Sequence, residues 1–295
     1  MFRRIWGRGG ITGSPVVAGG YVPENDTSAL IFLKADTGIS KDGSNNVSAW
    51  TDSSISYSHD FSSTLSLSSI RPVYFAGGPN SYGYVRCGNG ISYYGAMGNP
   101  AYYSYTAKMM ACSGFGNHIY NNAFSMYMVV RYYIDLPPIP AYSKYSCGFG
   151  KTGTTSSPNC YEWLAAGGGS YSHENLNPYY VLREAAIYTD ALPRVSGNIW
   201  YLVTMRFTTD IKENIRYNGT QYRDYTTAKT PFLDLNYDAG IGGLPSGAPG
   251  GWLSGYYYRS SNIDIVEYIM RSGYDGTADV SLIETYFKNK FALWV

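Results

Sequence analysis

Asp264 and Glu267 are the residues whose type and spacing come nearest to covalent chemistry in this chain. They lie in Asn262-Ile263-Asp264-Ile265-Val266-Glu267, which reads as part of a strand. Two carboxyl groups about 5 Å apart can hydrolyse a glycosidic bond with retention, one as nucleophile and one as acid and base. The position two before Asp264 is Asn262, and an amide cannot supply the nucleophile. A structural role is the expectation: Ile263, Ile265 and Ile269 pack inward, and Glu267 holds the closing strand or helix.

Other chemical patterns fall short. Gly150-Lys151-Thr152 ends like a phosphate loop, but the glycine required five positions earlier is Tyr145, so a hairpin turn is expected. Asp234-Leu235-Asn236-Tyr237-Asp238 starts like a calcium loop. Its sixth residue is Ala239 rather than Gly, and its twelfth is Pro245, which offers no carboxylate. His59, His118 and His173 stand in polar contexts with no partner pattern and read as surface residues. Cys87, Cys112, Cys147 and Cys160 form no Cys-x-x-Cys pair and read as reduced core thiols; a Cys147–Cys160 bridge across a hairpin is the alternative. No catalytic residue, metal ligand or cofactor is assigned.

The aromatic clusters suit binding better than reaction. Tyr93-Tyr94, Tyr102-Tyr103-Ser104-Tyr105 and Tyr256-Tyr257-Tyr258 each hold adjacent tyrosines. Neighbours on a strand face opposite ways, so one ring of each cluster must reach an outer face or a loop. Such rings serve sheet packing, a protein interface or sugar stacking. Tyr93, Tyr94, Tyr102, Tyr103, Tyr105, Tyr256, Tyr257 and Tyr258 are therefore the candidate glycan or interface residues.

The elements that would position them are strands. Thirty-two tyrosines and 34 glycines accompany only 15 % charged residues among 295, fitting many short strands, tight turns and weakly charged faces. A net charge of +1 gives no long-range pull toward nucleic acid or an anionic membrane. The apolar run 126–134 is broken by Arg131, so no membrane insertion is expected. Met1-Phe2-Arg3-Arg4-Ile5-Trp6 leads into no apolar stretch of secretory length. The chain is read as not exported by that route, and the glycosylation triplets at Asn25, Asn46 and Asn218 as chance matches.

Residues 1–27 read as an extended arm, Gly-rich and basic at the front, carrying apolar Phe2, Ile5, Trp6 and Ile11 to be ordered against a partner. Residues 28–295 form the second unit. Strands are predicted at 29–34, 72–75, 123–134, 179–189, 200–208, 232–235 and 263–270. Along 200–207 the odd positions, Tyr201, Val203, Met205 and Phe207, form the core face. Val280, Ile283, Tyr286 and Phe287 change to helical spacing, with Thr277 or Asp279 able to cap the start and Lys288 and Lys290 suiting the end. This helix is expected across a sheet edge or rim.

Ordered along the chain are Leu30-Ile31-Phe32-Leu33-Lys34-Ala35-Asp36-Thr37-Gly38, Trp50-Thr51-Asp52, Arg71-Pro72-Val73-Tyr74, a strand through Phe124 to Arg131, Ile199-Trp200-Tyr201-Leu202-Val203, Ile265-Val266-Glu267, and a helix closing on Tyr286 and Phe291. This series resembles the concanavalin A-like (laminin-G-like) jelly-roll domains of bacterial and phage proteins over residues 28–293. Long Tyr/Gly/Asn insertions at 77–122 and 137–177 depart from it. The resemblance implies an all-β fold: a two-sheet antiparallel jelly-roll sandwich with one short C-terminal helix. Some family members bind calcium at a loop rim, and the family's glycosidases carry a Glu-x-Asp-x-x-Glu strand in which this chain has Asn262.

Members include lectins, carbohydrate-binding modules, glycosidases and virion proteins, and fold does not choose among them. The expectation is a non-enzymatic structural or attachment protein of a bacteriophage particle, a capsid decoration or tail-associated protein assembled in the host cytoplasm. Phe2, Arg3, Arg4, Ile5, Trp6 and Arg8 would anchor it to other virion proteins. A homo-oligomer and contact with host surface polysaccharide accompany that reading. The alternatives are a lectin or receptor-binding module and, third, a glycosidase.

Overall fold

The Asp36-Thr37-Gly38 turn and Trp50-Thr51-Asp52 meet because one carboxylate joins two strands. Asp52 Oδ1 accepts from the Phe32 N–H at 2.8 Å, and the Thr51 N–H donates to the Gly38 carbonyl at 2.7 Å. A Cβ on Gly38 would lie 2.8 Å from the Thr51 carbonyl oxygen, so the close approach requires glycine. Trp50 is thereby set fully inside.

The computed structural model describes residues 20–63, 71–87, 110–132, 147–151, 160–166, 178–183, 190–191, 198–209, 213–225, 237–242 and 263–294. The strands are β1 (Ala29–Lys34), β2 (Ile39–Lys41), β3 (Val47–Trp50), β4 (Phe61–Ser62), β5 (Val73–Phe75), β6 (Tyr84–Cys87), β7 (Met110–Cys112), β8 (Phe124–Tyr132), β9 (Cys147–Lys151), β10 (Cys160–Ala166), β11 (Pro178–Arg183), β12 (Asp190–Ala191), β13 (Trp200–Phe207), β14 (Glu213–Tyr217), β15 (Thr220–Tyr225), β16 (Tyr237–Ile241) and β17 (Ile263–Ser272). A short helix α1 (Gly116–Ile119) precedes β8, and α2 (Thr277–Phe291) follows β17.

These strands make two antiparallel sheets. The first runs β15-β14-β13-β8-β17-β6-β5, and β1 also pairs with β17. The second runs β12-β11-β10-β9-β16-β7-β4-β3-β2. The fold is the two-sheet antiparallel sandwich with one C-terminal helix that the sequence led us to expect. Val47, Trp50, Phe61, Met110 and Ile241 of the second sheet face Ile31, Val85, Met126, Met205, Ile263 and Ile265 of the first across one core. In β13 the odd positions point into this core, as the alternation required.

The helix departs from expectation. It lies across the outer face of the first sheet rather than at an edge. Val280, Ile283, Phe287 and Phe291 pack on Phe32, Tyr127, Val129, Leu202, Val266 and Ile269, giving that sheet a second apolar layer. Each of these large side chains contributes roughly 1.5–3 kcal/mol on burial. Gly276 occupies the cap position without a side-chain hydrogen bond, so neither Thr277 nor Asp279 caps the start. Ile269 belongs to this outer layer, not to the inner core. The reason is a bulge in β17 between Ile265 and Glu267, which inserts one residue and reverses the alternation downstream.

Residues 20–27, counted with the arm in the sequence, lie on the sandwich. Asp26 Oδ2 accepts from Arg271 Nε at 2.6 Å and from the Tyr21 hydroxyl at 2.6 Å. Arg271 pairs on its other side with Asp275, which also accepts from the Tyr127 hydroxyl at 2.7 Å. Arg206 Nη1 donates to the Asp275 carbonyl at 2.7 Å. Burial alone would raise the Asp26 carboxyl, but Arg271, Ser28 and Tyr21 together hold it below the usual range. Phe2, Arg3, Arg4, Ile5, Trp6 and Arg8 lie outside the described residues.

The predicted strand 123–134 holds β8 and 179–189 begins as β11, while 133–134, 184–189 and 232–235 lie outside the described residues. Cys147 stands opposite Trp163 and Cys160 opposite Gly150, so the two cysteines are three rungs apart on one ladder. That offset is about 10 Å, beyond the reach of a disulfide. Cys87 and Cys112 are buried, and burial, with the nearby Asp52, Asp238 and Asp60 carboxylates, pushes the Cys112 thiol up to about 12.

The Arg271 knot predicts unequal costs. Arg271→Met leaves Asp26 and Asp275 facing each other without a cation and should cost about 3–5 kcal/mol. Asp26→Asn leaves Arg271 paired with Asp275 and should cost about 1–3 kcal/mol. Urea unfolding of both variants measures the difference. The Asp26 contribution is present above about pH 3.9 and is lost as pH falls through its depressed folded value, so wild type and Asp26→Asn should converge in acid.

Candidate functional site

The bulge in β17 also decides where the two carboxylates go. Three residues apart on a regular strand, Asp264 and Glu267 would face opposite sides; the inserted residue turns both to the outer face of the first sheet. Each is then held in a separate set of contacts.

Asp264 sits in a lateral row across five strands. Register aligns Val73, Arg86, Asp264, Arg131 and Trp200 on β5, β6, β17, β8 and β13. Arg86 grips the carboxylate with Nε at 2.8 Å and Nη2 at 3.0 Å, one to each oxygen. Arg131 donates from Nε at 2.9 Å and Nη2 at 2.6 Å, both to Oδ2. The Asp264 side chain is fully buried beneath them. The Arg131 guanidinium also stands 4.6 Å from the Trp200 ring and 5.0 Å from Tyr84, while Arg86 stands 4.9 Å from Phe75. With four charged hydrogen bonds on it, this carboxylate is the anchor of a cationic, aromatic row.

Glu267 faces the helix. Oε2 accepts from Lys290 Nζ at 2.6 Å and Oε1 from the Tyr286 hydroxyl at 2.8 Å. Burial pushes this carboxyl above its ordinary range, against the pull of Lys290 and Tyr286. Glu267 thus latches the end of α2, the role expected for it, and Lys290 serves as its partner as well as a helix-end charge. Earlier in α2, Glu284 accepts from Thr204 at 2.9 Å and from Arg216 Nε at 2.9 Å. The helix is fixed by polar contacts at the middle and near the C-terminal end of its apolar stripe.

His59 and His118 depart from the expectation of partnerless surface residues. His59 and His118, 59 residues apart in sequence, meet with their Nε2 atoms 3.0 Å apart. His59 follows β3 on the loop knitted by Asp52, whose Oδ2 accepts from the His59 N–H at 2.9 Å, and His118 sits on α1. Tyr57 stacks on His59 and meets His118 edge-on, and Phe115 packs against both rings. Neither local sequence carried a signal for the other; only the pairing of the loop with α1 creates the contact. His173 lies outside the described residues, as do Tyr93, Tyr94, Tyr102, Tyr103, Tyr105, Tyr256, Tyr257 and Tyr258. Among the described residues no three His, Cys, Asp or Glu side chains form a metal-holding group, and no helix is long and apolar enough to cross a membrane.

No family model matches the sequence, and no curated protein matches it. Among solved structures, the chain is similar to the binding domain of Paraclostridial Mosquitocidal Protein 1, at 10 % identity over 89 % of this chain and 53 % of that one, with a TM-score of 0.51. It is also similar to Trypanosoma rangeli sialidase in complex with the inhibitor DANA, at 12 % identity over 86 % of this chain and 32 % of that one, TM-score 0.46. A mutant of NanB sialidase from Streptococcus pneumoniae follows at 12 % identity, covering 54 % of this chain and 23 % of that one, TM-score 0.40. The chain therefore spans about half of the toxin domain and a third or less of the sialidase chains. At these identities the likeness is one of fold.

The two carboxylates should respond differently to neutralisation. Asp264→Asn leaves two guanidinium groups without their shared anion and should cost about 3–5 kcal/mol. Glu267→Gln keeps a hydrogen-bonding group beside Tyr286 and removes a charge that burial disfavours, so its cost should be well under half of that. Parallel denaturation at neutral pH compares them.

Proposed function

We propose that this chain is a non-catalytic attachment module, a rigid sandwich that presents tyrosine-rich segments to a glycan or protein surface. The observation that carries the reading is the state of the only strand with hydrolase-like spacing. Asp264 is bound by two arginines and Glu267 is latched to Lys290 and Tyr286, so neither presents a free carboxylate to a sugar ring. A retaining hydrolase needs both groups at the scissile bond, one of them unpaired and nucleophilic.

Chain connectivity supports the binding half of the proposal. Cys87, the last residue of β6, and Ile263, the first of β17, are register partners. The segment carrying Tyr93, Tyr94, Tyr102, Tyr103 and Tyr105 departs from the first, and the segment carrying Tyr256, Tyr257 and Tyr258 arrives at the second. Both tyrosine-rich stretches are therefore tethered at one end of the first sheet, beside the Arg86–Asp264–Arg131 row. A carbohydrate or a protein partner would be gripped there by ring stacking and hydroxyl hydrogen bonds.

The finer form of the proposal is a concanavalin A-like structural protein of a bacteriophage particle, on capsid or tail. Residues Phe2 to Arg8 would anchor it to other virion proteins, in a homo-oligomer that also reaches host polysaccharide. Its support is the ordered series of sequence motifs and the apolar, basic character of the first residues.

Full-length chain applied to an array of bacterial surface polysaccharides should bind at least one of them below millimolar concentration. Tyr256→Ala/Tyr257→Ala should weaken that binding, and no reducing ends should appear on prolonged incubation. Reducing ends released by the wild type and lost in Glu267→Gln, the structurally milder variant, would instead establish a glycosidase. A flat array together with normal incorporation into particles would leave the protein-contact form of the proposal and remove the glycan form.

A further inference from the structure

We propose that His59 and His118 form a binding site for one first-row divalent cation with a preference for nitrogen donors, such as Ni²⁺, Cu²⁺ or Zn²⁺. This goes beyond attachment and concerns the opposite kind of chemistry from the carboxylates.

The argument begins with the tautomer of His59. Its Nδ1 lies 2.9 Å from the Leu30 carbonyl oxygen, which can only accept, so Nδ1 carries the proton and Nε2 carries the lone pair. Asp52 Oδ2, 3.8 Å from the same Nδ1, reinforces that polarity. A histidine whose far nitrogen donates to a carbonyl or carboxylate is oriented as metal-bound histidines are, with the near nitrogen made more basic.

The second step is the geometry of the two rings. Their Nε2 atoms are 3.0 Å apart, and their centres are 4.7 Å apart with planes at 83°. A straight hydrogen bond between imidazoles of that N···N length would put the ring centres about 5.3 Å apart, because each centre lies about 1.15 Å behind its nitrogen. The observed separation is shorter, so the two nitrogens do not both point along the line joining them. Two metal–nitrogen bonds of about 2.05 Å meeting at about 95° reproduce both values, about 3.0 Å between nitrogens and about 4.7 Å between centres. That angle is a cis edge of an octahedral or tetragonal site, the arrangement favoured by Ni²⁺ and Cu²⁺ and open to Zn²⁺. His118 then takes the Nδ1-protonated form, and both lone pairs meet at one point.

The surroundings fit. Tyr57 and Phe115 wall the pair, which holds the rings in place, and Tyr57, 38 % exposed, leaves the pair near solvent. No third His, Cys, Asp or Glu completes the set among the described residues, so water fills the remaining positions and the affinity is moderate. A bound ion would join three pieces of the sandwich: the loop after β3, strand β1 through Leu30, and α1.

The test uses untagged full-length chain stripped with a chelator and titrated calorimetrically with Ni²⁺ alone and with Zn²⁺ alone. One ion per chain is expected, with affinity lowered about tenfold or more in both His59→Ala and His118→Ala. His173→Ala should bind as the wild type does. His118 lies on a partly exposed helix, so its variant is checked for an unchanged melting temperature without metal; added Ni²⁺ should then raise the melting temperature of the wild type and not of His118→Ala. Electron paramagnetic resonance of the Cu²⁺ form should show two equatorial nitrogens, reduced to one in His118→Ala. No binding at millimolar ion, or binding indifferent to His118→Ala, would overturn the site and leave a hydrogen-bonded imidazole pair. Neither result touches the attachment reading, which stands on Asp264 and Glu267.

Discussion

Strand β17 has to be buried on both faces, and the rest of the molecule is arranged around that requirement. It pairs with β8 along one side and with both β6 and β1 along the other. Its inner residues Ile263, Ile265, Tyr268 and Met270 enter the inter-sheet core, and Val266 and Ile269 lie beneath α2. Without the helix, a band of large apolar side chains on the outer face would meet water. The helix supplies the second layer, and Glu267 and Glu284 supply the polar contacts that fix its position.

The same doubling explains why acidic residues on this strand are structural. An outer face covered by a helix is a poor solvent for charge, so each carboxylate there needs partners of its own. Asp264 finds two arginines on neighbouring strands, at register positions that bring all three side chains to one row. Glu267 finds a lysine and a phenol on the helix. One bulge accounts for both, because it places acids three residues apart on the same side.

Much of this architecture is legible in the sequence. The apolar run 29–34 is β1, the alternation through Trp200 to Phe207 is β13, and the helical spacing of Val280, Ile283 and Phe287 is α2. These are local periodicities, and a strand or helix obeys them wherever it is placed. The covering of the even face of β13 was not legible, since Leu202, Thr204 and Arg206 show only a mixed face until a helix is known to sit above them. Nor could Arg86, Asp264 and Arg131 be grouped, being spread over 178 residues of chain. The His59–His118 contact escaped for the same reason. Asp52 was recognised as part of a motif, but its work of bonding the Phe32 amide emerged only from the packing of two turns.

The salt bridge between Asp26 and Arg271 spans 245 positions of sequence. Strand β1 likewise waits for β17, nearly the whole chain away, before its edge is paired. During synthesis from the amino end, the β1 edge stays open on that side until β17 has left the ribosome. Long-range pairing of this kind makes for slow folding. A nascent chain stalled short of Arg271 would hold a sandwich missing its central member, a natural substrate for chaperones and proteases.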